Sequence, residues 1–467
     1  MAVRVRRNVY SLPAGDDTLD WYRRAVAALQ AEPLTSPTCW YYLGSVHGNP
    51  GFTPPSGASA FWDQCQHQTW YFLPWHRGYV AAMESIIAKK VVDLGGPADW
   101  ALPYWNYSES QTANPDARNI PPAFRDPFNP DGSNNALWAP RNTNAAGSVG
   151  LRDADVALGA LNEPVFTPPS NFGSGFGGGR TGFNHFGSRS DTGALENIPH
   201  NVVHVRIGGW MADPNTAGFD PIFWLHHCNI DRLWQEWIAN SHTNPNEAAW
   251  LSGVSFPMHD GNGNAFTFTS ANMQNTTQVL HGYVYDTLPA APEAVVASAE
   301  GTLEMAQIDP ELAGASDAPT PLDDDRTRAP VTMRPRTESA SAAAPSKVYL
   351  RLENVTGTGV PSDYDVLVDL DNDGQDPIMV GILSTFGIAG ASNPDAEHGG
   401  AGISLVFDIT EAAQTIGLTE ALAPSLHVSF HKVVSEVIAE AVPIPGVEAA
   451  PATDGSVQVG RIGVYFE

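Results

Sequence analysis

Three cysteines in 467 residues cannot build a disulfide framework. No run of 18 apolar residues occurs, so no segment reads as a transmembrane helix. Basic side chains are scarce: 24 Lys and Arg stand against 51 Asp and Glu, and the net charge of −27 would repel the phosphates of a nucleic acid. Neither nucleic acid nor membrane is expected as a partner. No apolar segment follows Arg6-Arg7, so no twin-arginine signal is read there. The chain is expected to be cytoplasmic, with later release or secretion left open. Tryptophan is missing after Trp250, although the chain holds 13, which marks a change of composition.

What is present divides the chain in three. Hydrophobic residues make up 42%, enough for real cores in two or three domains. Residues 346–467 carry 17 Asp and Glu against Lys347, Arg351, Lys432 and Arg461, a net of −13. The stretch 289–346 is rich in Ala, Pro, Ser and Asp without periodicity and reads as a flexible, protease-accessible linker. The expected domains are therefore 1–288, the linker 289–346, and 347–467. Apolar stripes predict helices over 16–31, 74–91 and 219–239, the last two opening near Pro74 and Pro221. Alternation at Val348/Leu350/Leu352, Val366/Val368 and Ile462/Val464/Phe466 predicts strands. The fold class expected is α + β multidomain, mainly helical first and a β-sandwich last.

The histidines carry the chemistry. His200 and His204, four apart, share one face of a helix and can reach one metal ion. His226-His227 follows in the next strong helix, with Asp231 placed to accept a hydrogen bond from an imidazole. Upstream lie His47, His67 and His76, with Pro74 expected to separate the last two into different elements. Two sets of three imidazoles suit copper, zinc, iron or nickel. Neither the paired Glu-x-x-His motifs of di-iron bundles nor His-Glu-x-x-His occurs, which leaves a pair of copper ions in front. Spacing does not choose between His226 and His227. His185, His242, His259, His281, His398, His427 and His431 read as ordinary surface or core residues. Gly173 to Gly178 fits a dinucleotide fingerprint but follows no strand, and Asp369 to Gly374 reads as an acidic turn and not a calcium loop.

Two stretches resemble the copper motifs of the type-3 copper proteins, the tyrosinases, catechol oxidases and hemocyanins. They are Cys65-Gln-His67-Gln-Thr-Trp-Tyr-Phe72-Leu-Pro-Trp75-His76-Arg77 and Asp220-Pro221-Ile-Phe223-Trp-Leu-His226-His227-Cys-Asn-Ile-Asp231-Arg-Leu-Trp234. The likeness runs from Arg4 to Tyr283-Val-Tyr285 and, more loosely, into the C-terminal part, where it resembles plant polyphenol oxidases. It implies a four-helix bundle that holds two copper ions, with His47, His67 and His76 on one and His200, His204 and His227 on the other. It implies a thioether between Cys65 and His67, although Cys65 read alone is equally a small buried hydrophobe. Phe72 and Phe223 are expected to pack round the pocket.

The implied reaction uses O2 as co-substrate: ortho-hydroxylation of small monophenols and oxidation of o-diphenols to o-quinones. A phenol with a pKa of about 10 must lose its proton, and Glu196 with Asn201 would hold the water that accepts it. Val205 and Pro214 are expected at the substrate entrance. The C-terminal domain is expected to act as an intramolecular inhibitor, with Phe386 or Ile388 as plug and a protease as activator; acid or detergent would loosen it. The alternatives are a catechol or o-aminophenol oxidase without monophenol hydroxylation and, less favoured, a hemocyanin-like O2 carrier.

Overall fold

The stripe of Leu19, Tyr22, Ala25 and Leu29 folds as helix α1 (Thr18–Gln30), and Tyr22, Ala25, Val26 and Leu29 are buried. The computed structural model describes residues 3–168, 173–185, 191–280, 282–288, 310–334, 345–370, 376–396, 399–418, 425–434, 442–447 and 455–467. Most of the expected linker (289–309 and 335–344), the turn 371–375, His281 and His398 lie outside the described residues. Helix α2 (Trp40–His47) ends on the first histidine. Helix α3 (Phe72–Asp93) is buried on nearly every face, as a central helix must be.

Pro74 does not break a helix between His67 and His76. It sits in the first turn of α3, where no intrahelical N–H is lost, and His67 precedes the helix in a loop. Glu196–Asn201 forms one wide turn around Pro199 that runs into α4 (Val202–Ile207). After the short α5 (Pro214–Ala217), helix α6 (Pro221–Ala239) starts where Asp220 accepts from the Ile222 N–H at 2.9 Å. Helices α2, α3, α4 with its preceding turn, and α6 surround the histidines. No helix among the described residues is long and apolar enough to cross a membrane.

Strand β1 (Arg4–Arg6) is held against α3 and α6 through Arg6. Two further strands, β2 (Phe256–His259) and β3 (Ala265–Phe268), form a hairpin, and β4 (Tyr283–Tyr285) pairs β1 in parallel. Arg6 passes into the interior, where its guanidinium meets Glu84 at 2.7 Å and lies 3.5 Å from the centre of the Tyr283 ring.

The C-terminal unit begins earlier than composition suggests. Strands β5 (Glu311–Ala315), β6 (Thr320–Pro321) and β7 (Arg326–Met333) fall inside the expected linker but join the sheet of β8 (Val348–Gly357), β9 (Tyr364–Leu370), β10 (Ile378–Leu383), β11 (Ile403–Asp408), β12 (Ser425–Lys432) and β13 (Val457–Phe466). In β7 only Ala329, Val331 and Met333 face the core, and the Arg, Thr and Pro between them hid the alternation. The order is β10-β9-β12-β7-β5-β13-β8-β11, with β6 on β13. Gly381 of the first strand lies so close to Phe407 of the last that a Cβ would sit 2.4 Å from the ring, so the outer strands meet. The unit is thus one nine-stranded sheet curled round a single aliphatic core, in place of two separate sheets.

The two units touch through named contacts. Arg152 makes a paired contact with Asp365 at 2.7 and 2.8 Å, and Arg351 reaches Asp191 at 2.8 Å. Thr192 N–H donates to the Ser404 carbonyl at 3.1 Å, and the Asn197 amide donates to the Ile382 carbonyl at 3.2 Å.

Candidate dimetal centre

Helices α2 and α3 and the loop before α3 bring His47, His67 and His76 together. The turn and α4, with α6, bring His200, His204, His226 and His227 together. Within each group the ligand-type atoms lie within 4.8 Å of one another, and all seven residues are buried. The groups face each other: His76 stacks on His227 with ring centres 4.6 Å apart.

Four rings donate from Nδ1 to a backbone carbonyl or side-chain amide oxygen. His47 donates to Pro214 O at 2.7 Å, His76 to Phe72 O at 2.8 Å, His204 to Met211 O at 2.7 Å, and His200 to Asn201 Oδ1 at 2.7 Å. Each bond fixes the tautomer and leaves Nε2 as a lone pair. His47 Nε2 then faces His76 Nε2 at 3.4 Å, and His204 Nε2 faces His227 Nε2 at 3.3 Å. Among the described residues, His67 Nε2 and His200 Nε2 have no partner at all. Lone pairs turned on one another in a buried space call for a cation between them, so the donors fit two metal ions. Burial, and then the neighbouring rings, holds all of these imidazoles neutral: His47 is lowered to about 3, and His67, His76, His200, His204 and His227 lie well below the usual value.

Phe72 lies 4.6 Å from both His76 and His200, and Phe223 lies 4.0 Å from His227, ring centre to ring centre. Both pack the metal pocket directly. Among the described residues Asp231 bonds to no imidazole, contrary to the expectation from spacing. It accepts from Arg77 Nε at 2.5 Å, Arg6 at 3.3 Å, and the hydroxyls of Tyr283 and Tyr285 at 2.6 and 2.5 Å. Two arginines outcompete a neutral ring for a buried carboxylate, and they hold it below the usual range although burial alone would raise it. It sits on α6 four residues past His227.

Cys65 Sγ lies 3.4 Å from His67 Nδ1 and 3.2 Å from His185 Nδ1. His185, read as ordinary, is buried beside the centre. His226 also belongs to the cluster: its Nδ1 is 3.0 Å from the Tyr107 hydroxyl and its ring stacks on His200. The doubled histidine was the one signal for it.

A small cavity beside the histidines is lined by His67, Gln68, Glu196, Asn201, Pro214, Phe386 and Gly387. Glu196 is buried; Oε1 accepts from the Gln68 N–H at 2.7 Å and Oε2 has no partner among the described residues. Burial raises its pKa to about 8 against the pull of the Gln68 and Gly193 backbones, which makes its carboxylate a stronger base than an exposed one. Pro214 lines the cavity as well as anchoring His47, whereas Val205 is half-buried and is not part of the lining.

Phe386 reaches the cavity from the C-terminal unit. Its ring stacks on His204 at 4.2 Å and 21°, and stands edge-on to His67 and His200 at 5.7 Å. Gly387 follows at φ +74°, and a Cβ there would lie 3.4 Å from Pro214, so the loop turns back where it meets the helical unit. Ile388, the other expected plug, points the opposite way into the core of the sheet. The loop is rooted on Asp363, which accepts from Ser384 Oγ at 3.0 Å and the Thr385 N–H at 2.9 Å.

Residues 37–240 match the family model for the common central domain of tyrosinase, and residues 309–467 match a domain of unknown function (DUF7868). Over 440 residues the chain is 39% identical to tyrosinase HcTyr1 of Hahella sp. (strain CCB-MM4), covering 88% of this chain and 91% of that one. It is 27% identical over 291 residues to the latent chloroplastic polyphenol oxidase of Prunus armeniaca, covering 56% of this chain and 45% of that protein. The fold is similar to latent apple tyrosinase, with a TM-score of 0.60 at 18% identity over 100% of this chain and 98% of that one. It is also similar to a latent aurone synthase, a polyphenol oxidase, with a TM-score of 0.63 at 19% identity over 99% and 89%.

Proposed function

The chain belongs to the tyrosinase family, and from that premise we propose how its own residues divide the work. It is a copper-dependent, phenol-oxidising oxidoreductase of a type-3 dicopper family. His47, His67 and His76 hold one copper; His200, His204 and His227 hold the other, while Tyr107 keeps His226 aside. Cys65 is joined to His67 by a thioether, a reading supported by their 3.4 Å approach. The copper pair, when bound, supplies the two-electron chemistry that couples O2 to the phenol.

The other residues prepare the substrate. Phe72 and Phe223 exclude water and hold the imidazole rings in place. Glu196 and Asn201 hold the water that takes the phenolic proton, which lets a monophenol bind as phenolate and be hydroxylated in the ortho position. Oxidation of the o-diphenol to the o-quinone follows. Pro214, small and stiff, leaves the cavity open to bulkier phenols once Phe386 withdraws. Phe386 blocks the face of His204 that a substrate ring would use, so the uncut chain is a latent form and its C-terminal unit an intramolecular inhibitor. A tethered plug acts at an effective concentration on the order of millimolar, so modest contacts hold it.

The observation that carries this reading is the Phe386 ring stacked on His204 in a cavity lined by Glu196 and Asn201. Copper analysis with O2 uptake on tyramine and on catechol, before and after limited proteolysis, tests it. Two coppers per chain, turnover of both phenols and a rise on cutting are expected. Steady uptake with catechol alone removes the monophenol part, equal rates before and after cutting remove the latency, and saturable uptake without turnover removes the enzyme reading.

A further inference from the structure

Gln68 directly follows His67 and stands at φ +53°, in the left-handed region that residues with a Cβ seldom adopt. Its surroundings enforce that conformation. The Asn184 amide donates to the carbonyls of His67 and Gln68, both at 3.4 Å, and the Gln68 N–H donates to Glu196 Oε1 at 2.7 Å. The strained backbone therefore aims one N–H at the carboxylate and fixes which of its oxygens stays unused.

Gln68 is 5% exposed and Glu196 is 1% exposed, and both line the cavity. Gln68 Oε1 and Glu196 Oε2 are buried acceptors without a partner among the described residues. Asn201, the third polar residue of that lining, already spends its oxygen on His200 Nδ1, so what it can offer the cavity is its NH2. Two orphan acceptors and one donor thus belong to the lining of one small cavity. A water molecule has two protons for the acceptors and a lone pair for the donor, with its second lone pair left for a phenolic O–H.

We propose that Gln68 is a positioning residue of the proton-accepting site: its N–H holds Glu196, and its amide oxygen is the second acceptor that orients the water. This deepens the monophenol reading above and rests on it. The proton passes from the phenol oxygen to the water and from the water to Glu196 Oε2, and no other bond changes. A monophenol has one O–H and depends on this route; a catechol has two, the first of them more acidic, and depends on it less.

The test uses the copper-loaded, proteolytically trimmed enzyme. Gln68→Gly keeps the left-handed backbone and its N–H and removes the amide; Gln68→Asn shortens it; Glu196→Gln serves as the reference. With copper content and melting temperature near those of the parent, Gln68→Gly should lower kcat/KM for tyramine about tenfold or more and that for 4-methylcatechol by a clearly smaller factor. The pH profile for tyramine should move alkaline, and Gln68→Asn should recover part of the loss. Without turnover, the pH at which bound 4-nitrophenol turns to its yellow phenolate under anaerobic conditions should rise in Gln68→Gly. Equal losses on both substrates, an unmoved 4-nitrophenol titration, or an unchanged tyramine rate would overturn the role of Gln68. If Glu196→Gln keeps its tyramine turnover, the underlying reading fails and the proposal falls with it; if only Glu196→Gln loses turnover, the reading stands and the role of Gln68 alone is wrong.

Discussion

The two units are built from different interiors. The helical unit buries ions: Arg6, Arg77, Glu84 and Asp231 form one cluster, and Arg141 with Asp220 another. The curled sheet buries aliphatic residues such as Leu350, Leu352, Val366, Val428, Ile462 and Val464. Aliphatic packing fills space without directing any group, whereas fixed charges hold helices at set angles and spacings. The helical unit has seven imidazoles to aim, and the sheet has one phenylalanine. Of the five buried polar residues of the sheet unit among the described residues, Asp363, Ser384 and Thr385 gather at the root of the loop that carries Phe386, apart from Asp369 and Ser429.

The largest expected effect breaks the ionic interior. Asp231→Ala leaves Arg6 and Arg77 buried without their carboxylate, and about 3–5 kcal/mol of stability should be lost from the helical unit, read by chemical denaturation. Next come the plug and its neighbour. Phe386→Ala should raise catechol turnover of the uncut chain by about tenfold or more, given the modest contacts a tether requires. Ile388→Ala should instead cost the sheet about 2–5 kcal/mol, because that side chain sits in its core. Equal activation by both would dissolve the distinction between plug and core.

A pH effect ranks third, and its sign differs from the acid activation expected from the sequence. Burial raises Asp363 from 3.8 to about 7, with Arg206 opposing and Asp155 reinforcing from the helical unit; burial raises Asp191 as well, against Arg351. A carboxyl raised in the docked form favours docking fully below its free value, and that contribution is lost as pH climbs through the docked value. Latent turnover, measured relative to the trimmed enzyme, should therefore rise between pH 3.8 and about 7, and Asp363→Asn should flatten the rise. The smallest effect belongs to the rim: Arg152→Ala removes a partly exposed pair with Asp365 and should weaken docking by under about 1 kcal/mol, seen as slight activation.

Much of the centre was legible because its chemistry is local. His200 with His204, the doubled His226-His227 and the Asp220-Pro221 helix start can each be read within a few residues. What stayed hidden depends on distant partners. Asp231 points at Arg6 and at Tyr283 and Tyr285, which no spacing around α6 reveals. Strand β7 buries one thin face, and its polar half resembled a linker. Phe386 and Ile388 stand two apart and serve different cores, which only the left-handed turn at Gly387 separates. The conformation of Gln68 comes from contacts with Asn184 and Glu196, more than a hundred residues away.

The seam between β1 and β4 has a mechanical consequence. The chain leaves toward the C-terminal unit just past Tyr285, at the end of a strand that lies in parallel against Arg4–Arg6. A pull on the chain beyond Tyr285 meets this joint early, and three paired residues oppose it. Arg6, anchored on Glu84, rivets the joint from beneath. Because Arg6 also bonds to Asp231, a strained seam would be felt on the helix that carries His226 and His227.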